Sequence, residues 1–164
     1  LLSLINNVLE MARIESGKTE LDESSISLKS LDSVCWLFES QMKEKNIDFT
    51  WNVNVKHNNI LCDVVKIKEI LMNIINNAYK YSLPGDSVAV KIDELPCDRD
   101  GYVRIRTVVS DTGIGMSEDF LEHIFEDFSR EQTSTESGQF GTGLGMAIVK
   151  KIVDLMGGRY RCAE

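Results

Sequence analysis

The run Asp111-Thr112-Gly113-Ile114-Gly115 decides how this chain is read. It follows Tyr102-Val103-Arg104-Ile105-Arg106-Thr107-Val108-Val109, a β-rich stretch that predicts a strand over 102–109. A strand that ends in an acid and two closely spaced glycines lets a ligand meet backbone, because glycine carries no Cβ and tolerates φ > 0. The acid adds two acceptor oxygens at the strand tip. Taken alone, the five residues read equally well as a tight turn, which Asp and Gly favour. Two other stretches give the run its weight.

Before it, residues 66–82 carry Ile67, Ile70, Leu71, Ile74, Ile75 and Ala78 at helical spacing, one apolar face of an amphipathic helix. Asn73, Asn77 and Lys80 share a stripe beside that face, with Tyr81 at its edge. Asn is a mediocre helix former, so such a stripe needs a reason, whereas Asn76 reads as incidental polar surface. After it comes Gly138-Gln139-Phe140-Gly141-Thr142-Gly143-Leu144-Gly145-Met146, which runs into an apolar helix predicted over 147–156 and stopped by Gly157-Gly158. A glycine-rich loop entering a helix N-terminus offers free N–H groups and a positive dipole end to a phosphate. A flexible linker is the bland alternative, and Leu144 and Met146 set between glycines argue against it.

Together these stretches resemble the motifs of sensor histidine kinases. The N-box is Asn73-Ile74-Ile75-Asn76-Asn77-Ala78-Tyr79-Lys80-Tyr81, and the first glycine box is Asp111-Thr112-Gly113-Ile114-Gly115. Ile124-Phe125-Glu126-Asp127-Phe128-Ser129-Arg130 is similar to the F-box, and Gly141-Thr142-Gly143-Leu144-Gly145 to the second glycine box. All four occur in the family order. The resemblance implies the GHKL (Bergerat) ATP-binding fold: an α/β two-layer sandwich, with a mixed β-sheet packed on helices and nucleotide held beside a mobile lid.

Composition sets bounds. The chain has 164 residues, 43% hydrophobic and 27% charged, which suits one well-buried core. A net charge of −8 argues against a general nucleic-acid surface. Cys35, Cys62, Cys97 and Cys162 are widely spaced, and read as reduced cytosolic thiols rather than a disulfide or zinc framework. No apolar run approaches the roughly 18 residues of a membrane span.

Further elements follow from pattern. A helix is predicted over 1–13, ended by residues 14–18, and a short strand over 26–29. A helix over 30–45 is expected to be capped by Ser30 or Asp32. Strands are predicted over 49–55, 60–62 and 88–95, with a hairpin-like connection over 96–101. A short helix begins at Ser117 with Phe120, Leu121, Ile124 and Phe125 facing inward. Trp36 and Trp51 are expected in the core. Residues 129–138 are polar and, beside the phosphate-binding segment, are expected to form the lid, which extends to Gly141 with Phe140 its only apolar side chain. A last strand is expected to start at Arg159.

The resemblance also implies roles. Residues 1–17 look like the end of the dimerisation and phosphotransfer helix, and residues 18–164 like the ATP-binding catalytic domain, apparently stopping before its last strand. Asp111 would accept from the adenine amine, with Gly113, Ile114 and Gly115 beside the base. Asn77 would hold Mg²⁺, Lys80 and Arg130 would face the phosphates, and Tyr81 would wall the sugar or base. The amides of Gly141, Thr142, Gly143, Leu144 and Gly145 would cradle the phosphates. Asn73 stands where the hydrolysing relatives place a water-activating Glu, and an amide is no general base. Glu69, one turn earlier, reads either as a polariser of an incoming imidazole or as an exposed helix acid.

The implied activity is that of a protein-histidine kinase, passing the γ-phosphoryl of Mg-ATP to a histidine outside this chain. His57 and His123 lack the surroundings of an acceptor box and read as structural or solvated. The implied partners are the protein's own dimerisation domain and a response regulator receiver domain, in a homodimeric cytoplasmic parent compatible with a membrane anchor. A GHKL-type ATPase and a non-catalytic nucleotide-binding module are the alternatives.

Overall fold

The computed structural model describes residues 2–129 and 142–163, with side chains from residue 5 onward. They form two compact units, Asp22–Ile114 on the one hand and Leu1–Leu21 with Gly115–Glu164 on the other.

The first unit holds the sheet. Strand β2 (Asp48–Asn54) runs parallel to β4 (Ser87–Leu95), and β4 pairs antiparallel with β5 (Arg104–Asp111), giving the order β2-β4-β5. A separate antiparallel pair joins β1 (Ser24–Ser27) to β3 (Asn59–Cys62), with Ile26 opposite Ile60. Helices α2 (Asp32–Glu44) and α3 (Val64–Tyr81) supply the second layer. Val88, Val90 and Ile92 alternate along β4 and are fully buried. They meet Val34, Cys35, Phe38 and Met42 of α2 and Leu71, Ile75 and Ala78 of α3 in one core. This is the expected two-layer arrangement of mixed sheet on helices, built from period-2 burial on the strand and a 3.6-period stripe on each helix.

Several details differ from the sequence expectation, each for a physical reason. The strand expected over 26–29 ends at Ser27, and Leu28–Leu31 is a 3-10 turn. Residues three apart eclipse in a 3-10 turn, so Leu28 and Leu31 both enter the core, at 0% and 1% exposure. A strand would have sent them to opposite faces. That turn runs straight into α2, and the backbone N–H of Asp32 finds Lys29 and Ser30 carbonyls there. Neither Ser30 nor Asp32 is therefore the side-chain cap. Trp36 is not core: it stands 59% exposed, off the buried stripe of α2, with its ring edge-on to half-buried Trp51 at 5.1 Å. Tyr102 lies ahead of β5 in the connecting loop, where the Arg99 guanidinium stacks on its ring and donates to its hydroxyl at 2.8 Å. The strand instead extends to Asp111, opposite Val88.

The start of α3 is fixed by Asp63, which the pattern did not reveal. It is buried, yet both oxygens are satisfied: Oδ1 accepts from the Lys66 N–H and Oδ2 from the Asp22 N–H, each at 3.0 Å. A buried carboxylate is tolerated on such terms, and as an N-cap it also meets the positive helix end.

In the second unit, α1 (Leu2–Glu15) packs against α5 (Gly145–Leu155), whose buried side is Ala147, Ile148, Val149 and Ile152. Ser117 caps the short α4 (Glu118–His123) by accepting from the Phe120 N–H at 3.3 Å. Ile124 is buried, Phe120, Leu121 and Phe125 are half-buried, and the Phe125 ring lies 4.6 Å from that of Tyr160. The Lys151 ammonium bonds to Glu15 of α1 and reaches Asp127 at 3.5 Å. Residues 158–163 are irregular, so the strand expected from Arg159 is not formed among the described residues.

Candidate nucleotide-binding site

The polar stripe of α3 is real. Asn73, Asn77, Lys80 and Tyr81 are half-buried along one side of the helix, whereas Asn76 is exposed. The Asn73 amide nitrogen donates to the Glu69 carbonyl one turn back at 3.0 Å, so the side chain offers an acceptor oxygen and no base. The Glu69 carboxylate pairs with Lys66 at 3.2 Å. The Asn77 amide makes no hydrogen bond among the described residues, which leaves its oxygen available to a ligand. Lys80 folds along its neighbour: its Nζ donates to the Tyr81 hydroxyl at 3.0 Å and sits 4.6 Å from the ring centroid.

The same unit brings the end of β5 to the end of α3. Asp111 is exposed, and its Oδ1 accepts from the Gly113 N–H at 3.0 Å, closing an Asx turn. The Ile114 N–H then donates to the Tyr81 carbonyl at 3.1 Å. A Cβ on Gly113 would lie 2.5 Å from that carbonyl oxygen and 2.9 Å from Asp111 Oδ1. The glycine is thus required here by the docking of the loop on the helix end. Next to this junction, Ser82 is fully buried, and its hydroxyl has no partner among the described residues. Sequence reasoning passed over it as a mere helix end. It also passed over Lys45, which reaches the last turn of α3.

In the other unit, the described part of the second glycine box is seated on the F-box. Gly143 has φ +70°, and a Cβ there would come within 2.9 Å of both the Phe128 carbonyl carbon and the Ser129 oxygen. Thr142 Oγ1 accepts from the Leu144 N–H at 3.3 Å. The Leu144 side chain is fully buried and anchors the entry to α5, so its part in any ligand site is through the backbone. Gly145 opens the helix, and Gly115, with φ +69°, belongs to this unit. Arg130, Gly141 and all of the expected lid except Ser129 lie outside the described residues.

Both histidines are held locally. His57 Nδ1 lies 2.7 Å from Glu94, whose carboxylate also accepts the Lys56 and His57 backbone N–H groups. These bonds, led by the His57 N–H, hold Glu94 below the usual carboxylate range. His123 Nδ1 lies 2.8 Å from Glu126, whose hydrogen bond pushes the imidazole up from its ordinary value. Burial, aided by Asp32, pushes the Cys35 thiol up to about 11, away from reactivity at neutral pH.

A magnesium ion fits the donors present. Magnesium prefers oxygen, keeps several waters, and needs only one or two protein ligands beside phosphate oxygens. The half-buried Asn77 amide oxygen, without a partner among the described residues, meets that need.

Residues 62–164 match the family of histidine kinase-, DNA gyrase B- and HSP90-like ATPases. The chain is 34% identical over 161 residues to hybrid signal transduction histidine kinase D of Dictyostelium discoideum, covering 96% of this chain and 10% of that protein. It is also 34% identical to the virulence sensor protein BvgS of Bordetella parapertussis, covering 96% of this chain and 13% of that one. Among solved structures, full-length ShkA in complex with AMPPNP superposes with a TM-score of 0.77 at 34% identity, over 95% of this chain and 31% of that one. The chain thus spans about a tenth of the two sensor proteins' length. No helix among the described residues is long and apolar enough to cross a membrane. By its fold, its motifs and these likenesses, the chain belongs to the histidine kinase-, DNA gyrase B- and HSP90-like ATPase family, and its relatives there are sensor histidine kinases.

Proposed function

We propose that the chain binds Mg-ATP and donates the γ-phosphoryl to a histidine on a separate dimerisation domain, in two-component signalling. The carrying observation is Asn73. It is an amide where hydrolysing relatives place a carboxylate, and its nitrogen is turned back onto the Glu69 carbonyl. Nothing at that position can take a proton from water. ATP is then held without fast hydrolysis until an imidazole is presented in line, and the protein's work is positioning and charge neutralisation. The ATP analogue held by the relative ShkA supports the choice of nucleotide.

In this reading Asp111 accepts from the adenine amine while its other oxygen keeps the Asx turn. Tyr81 walls the base or sugar, with Gly113, Ile114 and Gly115 beside it. Asn77 holds the magnesium, which when bound neutralises phosphate charge. Lys80 and Arg130 are the phosphate cations, and the amides of residues 141–145 hold the phosphates. Residues 1–17 are the end of the dimerisation helix and 18–164 the ATP-binding domain. The parent is a homodimer that passes the phosphoryl on to a response regulator receiver domain.

The test is direct. The purified chain should bind Mg-ATP, hydrolyse it very slowly and acquire no label on itself. A dimerisation domain with an intact acceptor helix, added in trans, should become labelled on histidine. Rapid hydrolysis by the chain alone would favour the ATPase reading instead.

Asp111→Asn tests the base reader. The new amide oxygen still accepts from the Gly113 N–H, so the loop is kept while one acceptor is lost. ATP affinity should fall by about 1–3 kcal/mol, the scale of a hydrogen bond to a charged group. Unchanged affinity by calorimetry would remove Asp111 from that role.

A further inference from the structure

Lys45 closes α2 and reaches the far end of α3. Its Nζ donates to the Tyr79 carbonyl at 2.8 Å, lies 3.4 Å from the Lys80 carbonyl, and sits 4.7 Å from the Tyr79 ring centroid. The last carbonyls of a helix have no partner within it, and they carry the negative end of its dipole. Here a cation from another helix takes two of them. The next carbonyl, that of Tyr81, accepts from the Ile114 N–H at 3.1 Å. Gly113 lies against the same oxygen, and Asp111 holds the Gly113 N–H. One unbroken set of backbone contacts therefore runs from the Lys45 ammonium, through the final turn of α3, to the loop that carries Asp111.

We propose that Lys45 is a positioning residue of the nucleotide site. It fixes the last turn of α3, and with it Lys80, Tyr81 and the seat of the Asp111 loop, without touching the nucleotide itself. This rests on the nucleotide-binding reading above. The ammonium is suited to the task because it supplies several donors on a flexible stem, and the Tyr79 ring confines that stem. The neighbouring Lys43 belongs to the same helix but is exposed, so it removes an equal charge without the contact.

The experiment uses the 164-residue chain with Lys45→Met, Lys45→Arg and Lys43→Met variants. Mg-ATP and Mg-GTP affinities are measured by calorimetry at a temperature where circular dichroism shows each variant folded. Lys45→Met should bind Mg-ATP about tenfold more weakly, the loss expected for one charge-assisted bond, with a smaller preference for ATP over GTP. Lys45→Arg should recover most of the affinity, and Lys43→Met should match the unsubstituted chain. A residue that served only to cap the helix would lower the melting temperature and leave the affinity and base preference of the folded protein unchanged, and that result overturns the inference. Should Lys45→Met not fold, Lys45→Gln is read in its place, together with hydrogen exchange of the Ile114 amide without nucleotide. Lost protection there supports the proposal, and full protection overturns it. Absence of Mg-ATP binding by the unsubstituted chain overturns the nucleotide reading and this inference with it, whereas normal binding by that chain and equal binding by folded Lys45→Met overturns this inference alone.

Discussion

Asn77→Ala should abolish the dependence of nucleotide binding on magnesium. It should also cut phosphoryl transfer to an added acceptor domain by at least roughly 100-fold, since even supporting residues of metal sites are worth 10–100-fold. The structure separates this loss from misfolding. The Asn77 side chain makes no hydrogen bond among the described residues, so its truncation orphans no partner there. Ala is also a better helix former than Asn by about 0.5 kcal/mol, so α3 should be no less stable. ATP affinity measured with Mg²⁺ and with chelator should then converge in the variant and differ in the unsubstituted chain. A variant that keeps its magnesium dependence would place the ion on another ligand.

Gly113→Val should damage both stability and binding. A Cβ at Gly113 already falls 2.5 Å from the Tyr81 carbonyl oxygen and 3.0 Å from its carbon. These are backbone atoms, which cannot swing aside as a side-chain end can. Valine adds two branches to that clash, and overpacking at a site this rigid costs about 3 kcal/mol. The strain is relieved if the loop lifts off α3, which breaks the Ile114 bond and displaces Asp111. The urea midpoint should fall, and the surviving folded protein should bind nucleotide weakly. An unchanged midpoint with normal affinity would show that the loop does not need its seat on Tyr81.

These two residues also mark what the sequence could and could not show. Asn77 was legible because helical periodicity places it beside a buried face, and a poor helix former there asks for an explanation. Gly113 was legible as special, but for an incomplete reason. Its flexibility suggested a passing ligand, whereas its immediate constraint is the end of a helix far away in the chain. Contacts of that kind leave no periodic trace. Lys45 and Asp63 escaped for the same cause: a lysine ending one helix gives no sign that it serves another, and an aspartate before an apolar run does not announce that it is buried. Leu28 was misplaced because Ile26-Ser27-Leu28-Lys29 alternates apolar and polar residues as a short strand does, and nothing local shows that the chain turns at Leu28. Trp36 was misplaced because side-chain hydrophobicity alone does not say which side of a helix faces the core.

The Trp36–Trp51 pair gives the molecule an optical asymmetry. The chain has two tryptophans, and both lie between Asp22 and Ile114. Tryptophan emission therefore reports the melting of the sheet-bearing unit and is blind to the segment that carries the F-box and second glycine box. Far-UV dichroism sees helices in both. If the two signals are followed through one denaturant series, coincident curves would mean the whole chain melts as a single cooperative body. Separated curves would instead give the order in which the two units melt.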